Sequence, residues 1–187
     1  MAVRAITGDI GSGKSSAAGI LAEILGCTCL DADIIAKSMW ERGDVKAQAL
    51  SRWGNEILNS SGEIITALIS ERIFSGKAEH DFCNALILPL VMTELQALSS
   101  SLDNVVLEIP LLPEAGRPQW IDRAIYITAE FSVRAQRRNL QRGWTNDELL
   151  RRERFLLPQS ERMSVCERVI SNDSNIHELQ RKLEEET

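Results

Sequence analysis

AVRAITGDIGSGKSS, residues 2–16, decides the reading of this chain. Residues 2–7 are a short run of strand character. Gly8-x-x-x-x-Gly13-Lys14-Ser15 follows at once and fits the eight-residue P-loop pattern. From Ser15 to Leu25 apolar residues at 17, 20, 21, 24 and 25 keep the i, i+3, i+4 spacing of a helix with one buried face. Strand, glycine loop and helix in that order make an anion site: the glycines let successive N–H groups point at the β and γ phosphates of a nucleotide, with the helix N-terminus behind them. Lys14 adds a mobile positive charge, and the Ser15 hydroxyl is placed to ligate Mg²⁺. Gly8, Gly11, Ser12, Gly13, Lys14, Ser15 and Ser16 are therefore the candidate nucleotide contacts.

Outward from this stretch, Gly26 suits a helix C-cap, and Cys27 to Leu30 reads as a second strand leading to Asp31-Ala32-Asp33. Residues 33–102 are helical almost throughout, with breaks expected at Gly43, Gly54, Ser60-Ser61-Gly62 and Pro89. Strand character returns at 104–109, 123–128 and, more weakly, 168–171, in short runs typical of a parallel sheet covered on both faces. Thr145-Asn146-Asp147-Glu148 is a capping box that opens a helix to about Leu157, and a last helix runs from about Asn175 to Glu185. The expected fold is α/β, a P-loop NTPase fold with a parallel sheet flanked by helices and a helical insertion after the second strand.

Composition narrows the function classes. The 187 residues suit one globular unit, long enough to bury roughly 70% of its unfolded surface. The longest apolar run, Ala85 to Met92, is too short to span a bilayer, and Gly8 and Asp9 interrupt any signal-peptide pattern, so a cytoplasmic protein without a membrane partner is expected. Cys27 and Cys29 read as small core thiols rather than a metal or redox pair. A net charge of −6 argues against nucleic-acid binding, yet seven of the 16 arginines fall between Arg134 and Arg154. On charge alone that segment fits either a grip on a polyanionic small molecule or a solvated face paired with Asp147, Glu148 and Glu153.

A P-loop alone does not separate hydrolysis from transfer. The guanine-specific Asn-Lys-x-Asp motif is absent from the sequence, and the chain is small for a motor or transporter module, which leaves small-molecule kinases. These need a carboxylate for the acceptor, an acceptor pocket and cations around the transferred phosphoryl group. Asp33, after the second strand, would emerge at the same carboxyl edge of the sheet as the P-loop and can accept a hydroxyl proton. Asp31 is the alternative, and helix N-capping is the plain structural role for Asp33. Glu108, ending the Val105-Val106-Leu107 strand, can face Mg²⁺.

With these residues together, the chain resembles the dephospho-coenzyme A kinase family over nearly its whole length. The resemblance rests on Thr7 to Ser15, on Asp31-Ala32-Asp33-Ile34-Ile35-Ala36, on Ile109-Pro110-Leu111-Leu112 with Glu114, and on Asp122-Arg123. Arg138, Arg142-Gly143 before Thr145, Pro158, Arg162 and Val169-Ile170 with Asn172 add to it. It implies transfer of the ATP γ-phosphoryl group, with Mg²⁺, to the 3′-hydroxyl of dephospho-coenzyme A, the last step of coenzyme A synthesis. It also implies Asp33 as the base, Lys14 and Arg142 as further catalytic residues, and Arg138 as a nucleotide contact. Residues 33–102 would hold the acceptor, about 138–159 would be a lid, and about 1–32, 103–137 and 160–187 would form the core of a monomer or small homo-oligomer. Arg137, Arg151, Arg152 and Arg154 keep the solvated reading. The pattern departs mildly at Ser16 and more on the acceptor side, at Ile65-Thr66 and Leu88, and also at Pro113, Ala135, Leu156 and Cys166-Glu167.

Overall fold

A computed structural model describes residues 2–186. Five strands, β1 (Ala2–Gly8), β2 (Thr28–Asp31), β3 (Asn104–Glu108), β4 (Arg123–Thr128) and β5 (Arg168–Ser171), form one sheet in the order β2-β3-β1-β4-β5. All pairings are parallel; Ile6 pairs with Glu108 and Ile125, and Asp31 pairs with Glu108. A parallel sheet sends every strand's C-terminal end to one edge, so Gly8, Asp31, Glu108, Thr128 and Ser171 share the edge at which ligands bind in open α/β sheets.

Two compact units divide the chain: residues 1–32 with 95–187, and residues 33–94. In the first, α1 (Lys14–Leu25) and α10 (Ile176–Glu184) cover one face of the sheet. Their Ala17, Ala18, Leu21, Ala22, Leu179 and Leu183 pack with Ile6, Val106, Ile125, Ile127 and Ile170. Alternation puts Ala5, Val105, Leu107, Ala124 and Tyr126 on the opposite face, also fully buried, which explains why these strands read as unbroken apolar runs. Leu21 is fully enclosed, and truncating such a leucine to alanine costs about 2–5 kcal/mol. Gly26 caps α1 in the left-handed region, its N–H donating to Ala22 and Glu23 carbonyls. The unit is completed by α6 (Leu112–Ala115), α7 (Phe131–Arg142), α8 (Asn146–Glu153) and α9 (Gln159–Ser164). Thr145 Oγ1 accepts from the Glu148 N–H and opens α8, which stops at Glu153 rather than near Leu157.

The second unit is helical: α2 (Ala32–Met39), α3 (Gly43–Trp53), a 3₁₀ turn at Gly54–Ile57, α4 (Thr66–Ile73) and most of α5 (Lys77–Ser99). Trp53 stands edge-on to Phe82 and donates its indole N–H to Glu79.

Two expectations are corrected. Pro89 does not break its helix: α5 runs through it. His80, Cys83, Ile87, Val91, Leu95 and Ser99 form a buried stripe at helical spacing on both sides of Pro89, whose ring lies on the exposed face, and that burial outweighs one lost hydrogen bond. The continuous helix is therefore long and apolar enough to cross a bilayer by length and composition, although its one-sided burial is that of a helix packed on protein. The second correction concerns the Cys27–Cys29 pair, which is not core. β2 is an edge strand, so Cys29 is exposed and Cys27 only half-buried at the margin of the cluster.

Candidate active site

The P-loop turns between β1 and α1, and its conformation requires glycine at both ends. Gly8 has φ 146°, and a Cβ there would lie 2.0 Å from the Ile127 carbonyl oxygen of the neighbouring strand. Gly13, at the helix N-cap, has φ 92°, and a Cβ there would lie 2.5 Å from Asn172 Nδ2.

Carbonyls of the loop are drawn to donors. Lys14 Nζ donates to Gly8 O at 3.2 Å and Asp9 O at 2.9 Å. Arg134 donates to Ile10 O at 3.1 Å. Arg137 at 3.2 Å and Asn172 Nδ2 at 2.7 Å both donate to Ser12 O. Gly11 packs beneath α7, with the Arg138 Cγ 3.2 Å from where its Cβ would be. Ser12 Oγ is buried with no hydrogen-bond partner among the described residues, a polar atom suited to a ligand oxygen. Ser16 is exposed on the first turn of α1.

Ser15 Oγ donates to Glu108 Oε1 at 2.8 Å, which joins the helix start to the end of β3. Asp31 pairs with Glu108 across the strands, so both side chains leave the same face of the sheet. A serine hydroxyl beside a carboxylate is a donor set that fits Mg²⁺, an ion that takes one or two protein oxygens and completes its shell from phosphates and water.

Beneath the loop is a buried acid. Asp9 Oδ1 accepts from Tyr126 Oη at 2.7 Å, and its Oδ2 accepts from Thr128 Oγ1 at 2.6 Å and Gln159 Nε2 at 2.9 Å. The Arg162 guanidinium lies 3.0 Å from Oδ1. Burial pushes the Asp9 carboxyl up, but the bonds from Thr128 and Tyr126 and the charges of Arg162 and Arg134 outweigh it and hold the group below its ordinary value. Burial and the same bond push the Tyr126 phenol far up, so it donates at neutral pH.

Comparison with known proteins identifies the family. The family model described as Dephospho-CoA kinase matches residues 2–178. The chain belongs to the dephospho-CoA kinase family. A dephospho-CoA kinase of Geobacillus kaustophilus is 32% identical over 184 residues, covering 95% of this chain and 91% of the relative. A Thermus thermophilus protein of known crystal structure superposes with TM-score 0.78 at 30% identity, over 98% of this chain and 95% of that one. The Campylobacter jejuni dephospho-CoA kinase superposes with TM-score 0.65 at 19% identity, over 97% and 92% of the two chains, a likeness of fold. The enzyme has dephospho-CoA kinase activity, in coenzyme A biosynthesis, and uses ATP as co-substrate.

The remaining expected residues of this dephospho-CoA kinase sit as follows. Asp33 is exposed at the second position of α2; Asp31 directly precedes that helix, so the capping position is Asp31's rather than Asp33's. Arg142 ends α7, exposed, its guanidinium 5.7 Å from the Trp144 ring centroid, and no hydrogen bond or ion pair among the described residues joins it to the loop. Arg151 and Arg152 pair with Glu148, whose carboxyl they hold down to about 2.

Arg137 departs from the solvated reading: besides Ser12 O it donates to Asn172 O at 2.9 Å, tying the loop to the end of β5. Arg134 likewise joins the Ile10 carbonyl to Glu153 of α8. The spacing 134, 137, 138 puts three arginines on one face of α7, and that spacing was the signal available in the sequence. Nothing local to Asp9, Gln159 or Trp144 marked those residues.

Proposed function

We propose that this enzyme transfers the ATP γ-phosphoryl group to the 3′-hydroxyl of dephospho-coenzyme A, with Asp33 accepting the hydroxyl proton. Lys14 and Arg142 are assigned to the charge on the transferring phosphoryl oxygens, and the loop N–H groups with Ser12, Ser15, Ser16 and Arg138 to the nucleotide. The observation that carries the nucleotide half is the cradle itself. The carbonyls are engaged by Lys14, Arg134, Arg137 and Asn172, and the Asp9 and Ser12 N–H groups donate to Ile127 O and Asp9 O, so the N–H groups of Ile10, Gly11 and Gly13 are the ones offered to an anion.

Mg²⁺ would be held by Ser15 and Glu108, on the strength of their 2.8 Å contact. When bound, the ion would supply positive charge against the charge that develops on the transferring group. With it in place Ser15 and Glu108 would serve as its protein ligands, and Lys14, which donates to the Gly8 and Asp9 carbonyls, would turn its charge to the phosphates. Asp33 supports the acceptor half because the chain reaches it two residues beyond the end of β2, at the ligand-binding edge of the sheet.

The lid is assigned to about 138–159 and acceptor binding to the helical segment 33–102, by family resemblance and, for the lid, by its arginines. Four free cysteines suit a reducing cytoplasm, and the chain is read there as a monomer or small homo-oligomer. The test is ADP formation from ATP and Mg²⁺. It should rise strongly with dephospho-coenzyme A and stay at the ATP-only rate with AMP, CMP, shikimate or pantothenate. No stimulation by dephospho-coenzyme A overturns the reading, and product phosphorylated elsewhere than the 3′ position overturns the regiochemistry.

A further inference from the structure

Trp144 lies between two helix caps that fix its backbone. Gly143, at φ 65°, turns the chain out of α7, its N–H donating to Asn139 O at 2.8 Å while the Trp144 N–H reaches Arg138 O at 3.4 Å. Asn139 Nδ2 donates to Trp144 O at 3.2 Å, and the next residue, Thr145, caps α8. The backbone that carries the indole is thus fixed on both sides.

Around this one ring stand three guanidinium groups, those of Arg152 at 4.3 Å, Arg142 at 5.7 Å and Arg138 at 5.8 Å from the centroid. Like charges so gathered repel, and the ring's negative π-face offsets part of that repulsion. The three are not equivalent. Arg152 is the nearest and is anchored by its Nε–H bond to Glu148 Oε1 at 2.6 Å. Arg142 has no ion pair among the described residues, so the indole is its recorded charge-complementary neighbour. Each such contact is weak at a half-exposed site, strong enough to bias a long side chain and weak enough to yield to a phosphate.

We propose that Trp144 is a positioning residue: Arg152 pins the ring to α8, and the ring stations Arg142 for the transferring phosphoryl group. This rests on the assignment of Arg142 to catalysis made above. A flexible arginine without the ring would sample solvent, and turnover would fall with the fraction of molecules in which Arg142 is in place, while nucleotide contacts made by the loop would be kept.

The test measures kcat and KM for ATP, with dephospho-coenzyme A saturating, for Trp144→Phe, Trp144→Leu, Arg142→Ala and the Trp144→Leu/Arg142→Ala double variant. We expect Trp144→Leu to lower kcat about tenfold with KM for ATP changed less than about threefold. Trp144→Phe, which keeps a π-face, should recover most of the loss, and the double variant should be no slower than Arg142→Ala. Trp144→Met repeats the aliphatic comparison should the leucine variant unfold. Wild-type kcat in the aliphatic variant beside a slow Arg142→Ala overturns the role of Trp144 and leaves Arg142 in place. Additive losses in the double variant also overturn it. Wild-type kcat in Arg142→Ala overturns the assignment of Arg142 itself.

Discussion

The Asp9 carboxylate and the Arg162 guanidinium lie 3.0 Å apart, their side chains only 1% and 8% exposed, directly beneath the phosphate loop. A negative charge next to an anion site is tolerable here because Arg162 neutralises it and Tyr126, Thr128 and Gln159 fill its remaining acceptor positions. Asp9→Asn would leave the Arg162 charge buried without its counter-ion. A loss of about 3–5 kcal/mol is expected for breaking such a pair, a fall in Tm of about 6–20 °C for a chain of this size, read by thermal melting at pH 7.

Acid stability follows from the same group. Its folded pKa lies below the unfolded value near 3.8, so its contribution is fully present above that value and is lost as pH falls through the folded pKa. The groups that face it are the Arg134 and Arg162 guanidinium groups and the neutral donors Tyr126, Thr128 and Gln159. Between wild type and Asp9→Asn, the difference in denaturation free energy should therefore shrink steadily below about pH 4. A difference independent of pH would remove Asp9 from the acid limb.

Glu108 is tested through metal dependence. Glu108→Gln keeps a partner for the Ser15 hydroxyl but removes the charge, so the fold should persist while the Mg²⁺ concentration for half-maximal activity rises about tenfold or more. A fall in kcat of about 10²-fold should accompany it. An unchanged Mg²⁺ requirement would remove Glu108 from metal binding and leave it a structural acceptor for the Ser15 hydroxyl.

The residues that could be read in the sequence are those whose chemistry is local. Lys14 and Ser15 announce themselves because the loop, its glycines and its helix are contiguous, and the five strands because burial on both faces makes short apolar runs. Asp9 could not be read: its partners Tyr126, Thr128 and Gln159 are 117, 119 and 150 residues away, brought in by β4 and α9. Pro89 misled because local propensity favours a break, whereas the buried stripe from His80 to Ser99 decides the helix. Cys29 misled for the converse reason, since strand character does not say which strand lies at the edge. Arg137 looked like a surface charge because its acceptors are the carbonyls of Ser12 and Asn172, which no side-chain pattern records.

Gly8 is the most stringent test of the loop's geometry. In Gly8→Ala the new methyl would meet the Ile127 carbonyl oxygen at 2.0 Å, backbone that cannot rotate away, at a φ that L residues rarely adopt. The expected cost is about 3 kcal/mol or more in urea denaturation, with ATP binding weakened in the fraction that folds. Retention of full stability would mean that β1 and β4 can separate at this point.

Asp33 separates catalysis from binding. It lies on the exposed first turn of α2, so Asp33→Asn should melt within about 1 kcal/mol of wild type. The amide cannot take a proton from the acceptor hydroxyl, and kcat should fall about 10²–10⁴-fold while KM for ATP changes less than about threefold. Asp31→Asn is the control: it precedes the helix, and asparagine serves at a helix start about as well as aspartate, so both stability, within about 1 kcal/mol, and turnover should be kept. If Asp31→Asn, rather than Asp33→Asn, abolishes turnover with stability kept, the proton acceptor is Asp31, and the acid after β2 acts from the strand end instead of from the helix.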